Sequence, residues 1–516
     1  MGLNGAPFSL FPLAFVAIVP LISVAVDKNF FQAILAGFLW GVGFHGLMLF
    51  WITGIHPMTW MGVPWFYSLL IATFCWVFIT VWGALLVTIW AGGINLVSRY
   101  ISRGFCLFAP SVTISMAGVT LWCILETIWS NTPLWWSSLA LTQSPHNLYL
   151  LQLLKISGST TVTGIIVLVN FLFYQAIAGV GVVKNTGQKL VNICLGVVIL
   201  FSTHYGGYAI YKKPLADKPE YGVKVGIIQG NIPNEIKLED PGFRRAIVNY
   251  TRGYIKLARE GVDLVLTPET ALPFFYDDIR EKIKFNQIIK QEKIPILLGA
   301  FYSFNGEDYA NSLLSIDGEG MVISRYDKIK LVPLGEYIPL EGIFGGIIRR
   351  LSPLDTHLVA GSMQQVFYTP FGKAIAAICY DSAFSEVFRQ QALKGGEFIV
   401  SAANNAHYSR SMPLQHHALD VMRGIEMDRW VARATNTGYS AIIDPHGNTL
   451  WLSRLDEYQT HSHLIYRRQT TTPYLLWGDW LLKILLAFLV VNLSPLATKI
   501  PGGFKDFDWK TGKKIR

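Results

Sequence analysis

Residues 372–381 read GKAIAAICYD, a run of small and β-branched residues that ends in a cysteine and polar side chains. Such a short apolar run predicts a strand buried within a sheet. The pattern therefore places the Cys379 thiol where the strand ends. The other cysteines lie in or beside long apolar stretches, where cysteine behaves as a small apolar side chain: Cys75, Cys106, Cys123 and Cys194.

Two segments upstream of this strand carry the charged groups that a reactive thiol needs. The first, LVLTPET at 264–270, contains Glu269 at the end of a predicted strand, and the second, KIKLVPLGE at 328–336, runs from Lys328 to Glu336. A thiol attacks acyl carbon as the thiolate, so a base such as Glu269 must take its proton. The oxyanion formed on the carbonyl needs a cation such as Lys328. A second carboxylate, Glu336, would hold that ammonium charged and oriented.

Each of these features also has an ordinary structural explanation. A cysteine at a strand end is usually a packing residue, Thr-Pro-Glu is a common way for a chain to leave a strand, and lysine-rich segments are usually solvated. Their joint occurrence in this order favours a nucleophile, a base and a cation over unrelated structural residues.

The composition is typical of a membrane protein with one soluble portion. Of the 516 residues, 52% are hydrophobic and 15% are charged, against roughly 25% charged in ordinary soluble domains. Ionisable side chains are sparse in residues 1–210 and ordinary in number over about 220–470. The formal net charge of +9 includes a cluster of basic residues after 498, which is typical of a cytoplasmic membrane flank and not of a nucleic-acid site. Five cysteines, four of them in apolar segments, give no disulfide framework.

Long apolar stretches predict membrane-spanning helices, because about twenty apolar residues are needed to cross the hydrocarbon core. The predicted spans are 8–26, 31–54, 64–94, 105–129, 148–180, 190–211 and 474–498. Lys155 and a polar run at 157–161 interrupt the fifth, so its helix is expected to start nearer residue 160. We expect an N-terminal membrane domain of about six spans over 1–212, a C-terminal membrane helix at 474–498 and a basic cytoplasmic tail at 499–516.

Basic residues in the short loops predict the orientation of these spans. They follow the first, third and fifth spans: Lys28, Arg99, Arg103, Lys184 and Lys189. The intervening loops, about 55–63 and 130–147, contain no lysine or arginine. By the positive-inside rule the odd-numbered spans exit into the cytoplasm, so the soluble portion lies outside it. The amino terminus would then also begin outside, which leaves open an additional helix before Met1, and no basic segment of a signal peptide precedes the first apolar run.

The soluble portion, 220–470, alternates between strand-like and helix-like patterns. The predicted strands are 223–229, 264–267, 294–299, 312–316, 374–378, 398–402 and 440–443. The predicted amphipathic helices are about 241–260, 276–292, 385–395 and 414–430. Strands separated by helix-length crossovers indicate an α/β domain whose sheet is buried under helices.

The order of the charged motifs resembles the Glu-Lys-Cys triad of the nitrilase superfamily, with PET at 268–270, Lys328 eight residues before Glu336, and Cys379 followed by Tyr380. Further segments are similar to the apolipoprotein N-acyltransferase family of integral membrane enzymes: QGNIP at 229–233, LVPLGE at 331–336, RATNTG at 433–438, and in the membrane portion FPLA at 11–14, Glu126 and VTG at 162–164. The resemblance covers nearly the whole chain. It implies a membrane α-helical bundle joined to an extracytoplasmic nitrilase-like α-β-β-α sandwich.

The resemblance also implies a reaction in two steps. Cys379, deprotonated by Glu269, would take an acyl chain from a phospholipid as a thioester and release a lysophospholipid. The α-amine of an N-terminal diacylglyceryl-cysteine of an apolipoprotein would then attack, completing bacterial lipoprotein maturation at the inner membrane. Lys328 would bind the oxyanion in both steps, Glu336 would support it, and Tyr380 would lie beside the nucleophile. No cofactor or metal is implied, and the enzyme is expected to act as a monomer on the periplasmic side.

The positions that match the family's remaining motifs are weaker candidates for substrate binding: Asn231, Asp381, Asn404, Arg433 and Asn436. Several positions depart from the family pattern. Leu238 stands where the family usually has tryptophan, Asp381 stands in place of glutamate, and NNAHYS at 404–409 replaces Asn-Asp-Ala-Trp-Phe-Gly. The arginine usually found shortly after Glu126 is also absent. These departures concern the donor, the acceptor and the efficiency of the reaction, because the triad itself is intact.

Alternatives remain at several positions. Glu126, a carboxylate at membrane depth, is either functional or held by structural hydrogen bonds. Trp129, Trp135 and Trp136 form an interfacial belt or line a path for lipid. His416 and His417 are adjacent and do not share a helix face, which argues against a metal site.

Two other functions compete with the transferase. The first is a membrane-tethered carbon-nitrogen hydrolase or acyltransferase that passes its thioester to water or another amine. The second is a catalytically silent paralogue that serves as a binding or scaffold protein, which the departures favour and the complete triad disfavours.

Overall fold

The computed structural model describes residues 1–102, 106–178, 186–283, 285–304, 308–333, 335–337 and 357–494, with the short pairs 507–508 and 513–514. Contacts divide the chain into two compact units. The membrane unit comprises Met1–Phe50, Thr73–Lys213 and Trp477–Arg516, and the catalytic unit comprises Trp51–Ala72 and Pro214–Leu476. Most of the predicted tail at 499–516, and the loop residues Arg103 and Lys184, lie outside the described residues.

The α-helices of the described residues are, in chain order, α1 (Val19–Asp27), α2 (Phe30–Met48), α3 (Trp65–Ile101), α4 (Pro110–Ser130), α5 (Leu148–Leu151), α6 (Leu154–Ser157), α7 (Ser159–Ala178), α8 (Thr186–Tyr211), α9 (Asn234–Lys237), α10 (Asp240–Arg259), α11 (Tyr276–Glu281), α12 (Phe285–Glu292), α13 (Ser385–Leu393), α14 (Ser411–Met427), α15 (Pro473–Trp477) and α16 (Trp480–Asn492).

Within the described part of the chain, five helices are long and apolar enough to cross a membrane: α2, α3, α4, α7 and α8. The stretches predicted as the first and last spans hold shorter apolar helices, Phe11–Asp27 and Trp480–Asn492. The fifth predicted span is broken at Gly158, whose φ of 60° ends α6, and α7 begins at Ser159. The expectation that this helix starts near residue 160 is therefore confirmed.

Glu126 is buried inside the membrane unit and its carboxylate is fully engaged by neighbouring groups. One oxygen accepts hydrogen bonds from Trp122 Nε1 at 3.1 Å and from the Leu139 amide at 2.7 Å. The other accepts from Thr163 Oγ1 at 2.9 Å. This arrangement supports the structural interpretation, because the carboxylate joins α4, the loop after it and α7.

The tryptophans at the end of α4 and in the loop after it do not form the exposed belt that the sequence suggests. Trp135 and Trp136 are buried in the membrane unit, at 8% and 4% exposure. Trp129 Nε1 donates to the Trp82 carbonyl oxygen at 3.0 Å, and the two rings lie 5.4 Å apart. These side chains are therefore packing residues of the unit.

The strands of the described residues are β1 (Gly222–Gln229), β2 (Leu264–Leu266), β3 (Ile296–Ser303), β4 (Asp308–Ile316), β5 (Val322–Asp327), β6 (His357–Leu358), β7 (Phe367–Thr369), β8 (Gly372–Ile378), β9 (Phe398–Ala403), β10 (Val431–Thr435), β11 (Ala441–Ile443), β12 (Thr449–Leu452), β13 (Gln459–Tyr466), β14 (Phe507–Asp508) and β15 (Lys513–Lys514). In the catalytic unit they form two sheets, ordered β13-β1-β2-β3-β4-β5 with β6 beside β4, and β12-β11-β10-β9-β8-β7.

The two sheets pack face to face around one apolar core. This core contains Ile227 and Leu266 of the first sheet and Ile378, Val400 and Ala432 of the second, all almost completely buried. A second core lies between the first sheet and its covering helices, where Tyr254, Leu257 and Phe285 are buried. Helix α13 covers the second sheet, and Gln391 holds it there through both the amide and the carbonyl of Ala376. The predicted α-β-β-α sandwich is therefore confirmed.

Several elements differ from those that the sequence predicts. The predicted helix 276–292 is two helices, α11 and α12, and the helix predicted at 414–430 is α14, which ends at Met427. The strands that the patterns did not predict are β5, β6, β7, β10, β12, β13, β14 and β15. Strands β12 and β5 lie at sheet edges, and β13 is an edge strand paired with β1. Edge strands carry polar residues, which hides the apolar alternation.

Candidate active site

The Cys379 thiol lies directly after β8, an inner strand between β9 and β7. Strand β8 pairs in parallel with β9, and the chain then turns into a 3₁₀ helix, Cys379–Ala383. Cys379 itself has a φ of 50°, a left-handed conformation that is costly for a residue with a side chain and persists only where its surroundings enforce it. The predicted position of the thiol at a strand exit is therefore observed.

Glu269 and Lys328 form a buried ion pair beside this cysteine. The Lys328 Nζ atom lies 3.0 Å from Glu269 Oε1, and the two side chains are 2% and 7% exposed. Glu269 follows β2, whereas Lys328 follows β5. The charges of both residues act on the Cys379 thiol, so the three predicted residues are brought together at one end of the sheets.

Two further hydrogen-bond donors hold the Glu269 carboxylate in place. Asn311 Nδ2 of β4 donates to Oε1 at 2.8 Å, and the Asn404 backbone amide donates to Oε2 at 2.8 Å. Burial alone would raise the pKa of Glu269, but Lys328, Lys237 and the Asn311 hydrogen bond together lower it below its usual value. Glu269 is therefore ionised at neutral pH and can accept a proton.

The pKa of the Cys379 thiol is shifted in the opposite direction, above its usual value. Burial raises the pKa of this thiol, and the negative charge of Glu269 raises it further, against the opposing effect of Lys328. A protonated thiol next to an ionised carboxylate is the arrangement that general-base catalysis requires, because the proton leaves sulfur only as the nucleophile attacks.

Glu336 supports the lysine as the sequence suggests. Its Oε1 atom lies 2.7 Å from Lys328 Nζ, and its Oε2 atom accepts a hydrogen bond from the Val332 amide at 2.8 Å. Burial would lower the pKa of Lys328, but Glu269 and Glu336 raise it well above its usual value. The ammonium therefore stays charged. Tyr380, the other supporting residue, lies next to the nucleophile with its ring 5.1 Å from Phe384.

Asp381 is buried behind the nucleophile. One carboxylate oxygen accepts from the Lys330 amide at 2.7 Å, and the other accepts from the Ile378 amide and from Tyr326 Oη, both at 3.0 Å. These contacts tie the turn that carries Cys379 to the segment that follows Lys328. The contacts support a positioning role, and substrate binding by this residue stays a prediction.

The three predicted asparagines connect the loops around the triad. Asn436 accepts from the Ile232 amide at 2.9 Å and donates to Asn404 Oδ1 at 3.1 Å. The Asn231 amide donates to the Asn436 carbonyl oxygen at 2.9 Å, and Asn231 Nδ2 donates to the Asp456 carbonyl oxygen at 2.8 Å. These side chains hold the loop whose Asn404 amide binds Glu269.

Arg433 lies in β10 and is fully buried. It forms an ion pair with Asp420, donates from Nε to the Tyr439 carbonyl oxygen at 2.9 Å, and donates to Asn405 Oδ1 at 3.4 Å. Its positive charge also acts on Cys379. Arg433 therefore lies behind the site, and a direct contact with substrate stays a prediction.

Three residues of the site were not predicted as such from the sequence: Asn311, Lys237 and His416. Asn311 lies in β4 beside other polar residues, such as Ser312 and Ser315, so the sequence carried no distinct signal for it. Lys237 is 5% exposed and lies beside Glu269. His416, considered only for metal binding, lies beside the backbone of Cys379, and its Nδ1 atom is 3.1 Å from Asn405 Nδ2. Burial lowers the pKa of His416 to about 3, so it is neutral.

The adjacent His417 pairs with a different group, Thr449 Oγ1, at 2.9 Å. Across the described ranges, no group of three or more His, Cys, Asp or Glu side chains is placed to hold a metal ion.

The segment between the first long helices contributes to the catalytic unit. The Trp51 ring packs edge-on against Tyr408 with centroids 4.9 Å apart, and its Nε1 donates to Gln415 Oε1 at 3.2 Å. The Trp60 ring lies 6.4 Å from His407. Residues 404–409, where the chain departs from the family pattern, are therefore covered by aromatic side chains from this segment.

Two family models together match most of this chain. The family model for carbon-nitrogen hydrolases matches residues 224–467, and the model for the apolipoprotein N-acyltransferase N-terminal domain matches residues 1–172. Among solved structures, an amidase from Nesterenkonia sp. AN1 is similar over 52% of this chain and 99% of its own, at 17% identity and a TM-score of 0.38.

Curated relatives match almost the full length. An apolipoprotein N-acyltransferase from Nostoc sp. is 50% identical over 96% of this chain and 97% of its own length. One from Synechocystis sp. is also 50% identical, over 88% of each chain. The chain belongs to the apolipoprotein N-acyltransferase family, a membrane branch of the nitrilase-like acyl-transfer enzymes.

Proposed function

We propose that this protein is a phospholipid–apolipoprotein N-acyltransferase that works through a thioester on Cys379. The observation that carries the proposal is the buried Glu269–Lys328–Glu336 cluster beside a protonated thiol. Family membership and near full-length similarity to enzymes of that name support the choice of reaction.

In the first step the Cys379 sulfur attacks an ester carbonyl of a phospholipid. A carbon–sulfur bond forms as the proton moves from sulfur to Glu269, and Lys328 Nζ binds the oxyanion of the tetrahedral intermediate. The ester carbon–oxygen bond then breaks, and Glu269 gives its proton to the departing oxygen. The products are an acyl-thioester on Cys379 and a lysophospholipid.

In the second step the α-amine of an N-terminal diacylglyceryl-cysteine attacks the thioester carbonyl. Glu269 accepts the amine proton as the carbon–nitrogen bond forms, and Lys328 again binds the oxyanion. The carbon–sulfur bond then breaks and the proton returns from Glu269 to sulfur. The enzyme is regenerated and the lipoprotein carries an amide-linked third acyl chain. We also propose that the enzyme acts as a monomer.

The membrane unit would anchor the enzyme in the bilayer that holds both substrates. Both substrates keep acyl chains in the bilayer, so an enzyme that acts on them benefits from being anchored there. The basic loops favour a cytoplasmic position for the exits of the odd-numbered spans. We therefore place the catalytic domain, 220–470, on the periplasmic side of the inner membrane, between spans over 1–212 and a final span at 474–498.

The proposal is tested by following both products. Purified protein is incubated in detergent with phospholipid and a diacylglyceryl-cysteine peptide, and mass spectrometry follows the peptide and the lysophospholipid. We expect one acyl chain on the peptide amine per lysophospholipid released, and none with Cys379→Ser. Release of fatty acid without peptide acylation would instead favour a hydrolase, and release of neither product would favour a silent paralogue.

A further inference from the structure

A second lysine is buried at the active site without a role in the mechanism above. Lys237 ends the short helix α9. Its Nζ atom donates to Thr270 Oγ1 at 2.6 Å and to the backbone oxygen of Glu269 at 3.3 Å. Thr270 has a φ of 44°, so the ammonium holds a strained turn that carries the base. Burying an ammonium is costly, and such a group is retained where its charge is used.

We propose that Lys237 is a positioning residue that fixes the Glu269 turn and keeps the Glu269 carboxylate ionised for proton transfer. This inference rests on the proposed function. It adds a fourth charged group to the three already described, Glu269, Lys328 and Glu336.

The charge balance of the cluster supports this role. With Cys379 protonated, the charges of Glu269 and Glu336 are cancelled by those of Lys328 and Lys237. Without Lys237 the cluster carries one net negative charge, which opposes both an ionised base and an anionic tetrahedral intermediate. Burial lowers the pKa of Lys237 to about 8, although Glu269 and Cys379 act in the opposite direction. Its charge is therefore present at neutral pH and is lost on the alkaline side.

Other titratable groups face this pair from every side of the site. The groups that interact electrostatically with Lys237 or Glu269 are Lys328 after β5, Cys379 after β8, His407 and Tyr408 after β9, and His416 on α14. Burial raises the pKa of Tyr408 and lowers the pKa of His407 to about 4 and that of His416 to about 3, so these three side chains stay neutral at working pH. The two lysines therefore supply the positive charge at Glu269.

The test is the pH profile of Cys379 acylation by phospholipid, measured by intact mass on the full-length protein in detergent. Lys237→Met removes the charge and keeps the length of the side chain. We expect its acid limb to move to higher pH by about one unit or more, because an opposite charge near a carboxylate shifts its pKa by that amount. Lys237→Arg keeps the charge, so its acid limb should match the wild type. Its alkaline limb should extend to higher pH, because arginine does not lose its proton there.

Lys256→Met serves as the matched control, because that lysine lies on α10 with a side chain that is 56% exposed. It should leave the profile unchanged. Equal losses of rate in Lys237→Met and Lys237→Arg, with both limbs at their wild-type positions, would overturn the inference and leave Lys237 a packing residue. If Lys237→Met does not fold, the alkaline limb of Lys237→Arg decides alone, and an unmoved limb overturns the inference. A wild type that forms no adduct would instead reject the proposed function.

Discussion

Glu269 is the residue on which every proton transfer of the proposed reaction depends. It accepts hydrogen bonds from Lys328, Asn311 and the Asn404 amide, so its two oxygens are fixed between three different segments of the chain. A base held in this way needs little reorganisation when the thiol proton arrives.

We expect Glu269→Gln to reduce the rate of Cys379 acylation by about 10²–10⁴-fold, the usual contribution of a positioned general base. Single-turnover intact mass measures this rate. Glu336→Gln is the matched control, because it also replaces a carboxylate on Lys328 and leaves the base in place; its loss should be smaller. A Glu269→Gln enzyme that acylates as fast as Glu336→Gln would contradict the assignment.

The Glu269–Lys328 pair also predicts how stability depends on pH. Glu269 has a lowered pKa in the folded state, so its contribution is present above the unfolded carboxylate pKa and is lost as pH falls through the folded value. Lys328→Met should destabilise the protein by about 3–5 kcal/mol at neutral pH, because it leaves two carboxylates without their buried cation. The difference in thermal unfolding temperature between wild type and variant should narrow as pH falls from the unfolded carboxylate pKa to the lower pKa of Glu269 in the folded protein. A difference that is constant with pH would contradict this view.

At the residue scale, sequence patterns indicated the triad but not its surroundings. Cys379, Glu269 and Lys328 each end or follow a strand, and such positions are visible in a sequence. Lys237 lies in a one-turn helix, and nothing in its neighbours shows that its ammonium is buried. Asp381 and Arg433 show that a motif can indicate the site without indicating what the side chain contacts. Their motifs point to the site, but their contacts are with other protein groups, which a linear sequence does not display.

At the scale of elements, the turn after β8 is the part of the fold that sets the nucleophile. Cys379 has a left-handed backbone there, and Asp381 fixes the turn to the Ile378 and Lys330 amides and to Tyr326 of β5. The second sheet supplies the turn and the first sheet supplies its support. The thiol is therefore positioned by the packing of two sheets.

We expect Asp381→Asn to destabilise the catalytic unit by about 1–3 kcal/mol, because an amide nitrogen in place of one carboxylate oxygen leaves buried donors unsatisfied. Acylation should slow as well, since the turn that carries Cys379 loosens. Thermal unfolding and the acylation rate are measured on the same preparation. Asp277→Asn, on the exposed start of α11, is the control and should change neither. An Asp381→Asn protein with wild-type stability would show that these hydrogen bonds do not hold the turn.

The central strands were predictable and several of the outer ones were not. From Ala374 to Ile378 strand β8 is an apolar run because both of its faces are buried there, which is the pattern of an inner strand. Strand β13 reads QTHSHLIY and is half-exposed along most of its length, so its apolar signal is weak. Strand β10 follows α14 after a turn at Asp428, whose φ is 54°, and the apolar residues on both sides of that turn resemble one long helix.

At the scale of the whole molecule, the chain combines an apolar helical unit with a nitrilase-like catalytic unit. The catalytic unit is interrupted in sequence, because Trp51–Ala72 belongs to it by contacts although this segment ends within the long apolar helix α3. The sequence predicts that this segment is part of the membrane domain over 1–212. Its contacts, Trp51 with Tyr408 and with Gln415, join residues more than 350 positions apart, and such pairing has no local signature in the sequence.

The proposed orientation predicts which side of the membrane each unit faces. In a variant without Cys75, Cys106, Cys123 and Cys194, a membrane-impermeant maleimide should label Lys282→Cys in cells whose outer membrane alone is permeable. It should label Lys28→Cys only after the inner membrane is opened. Both lysines are exposed, so accessibility to the reagent is matched. The reverse pattern of labelling would place the catalytic unit in the cytoplasm and contradict the positive-inside argument.

The most direct test of the central claim is the mass of the protein itself after incubation with phospholipid alone. We expect the wild type to gain the mass of one acyl chain, mapped to Cys379 and released by hydroxylamine as a thioester is. Cys379→Ser should gain none, and a diacylglyceryl-cysteine peptide should discharge the wild-type adduct. An adduct that forms on another residue, or peptide acylation by the Cys379→Ser protein, would show that the reaction does not pass through this cysteine.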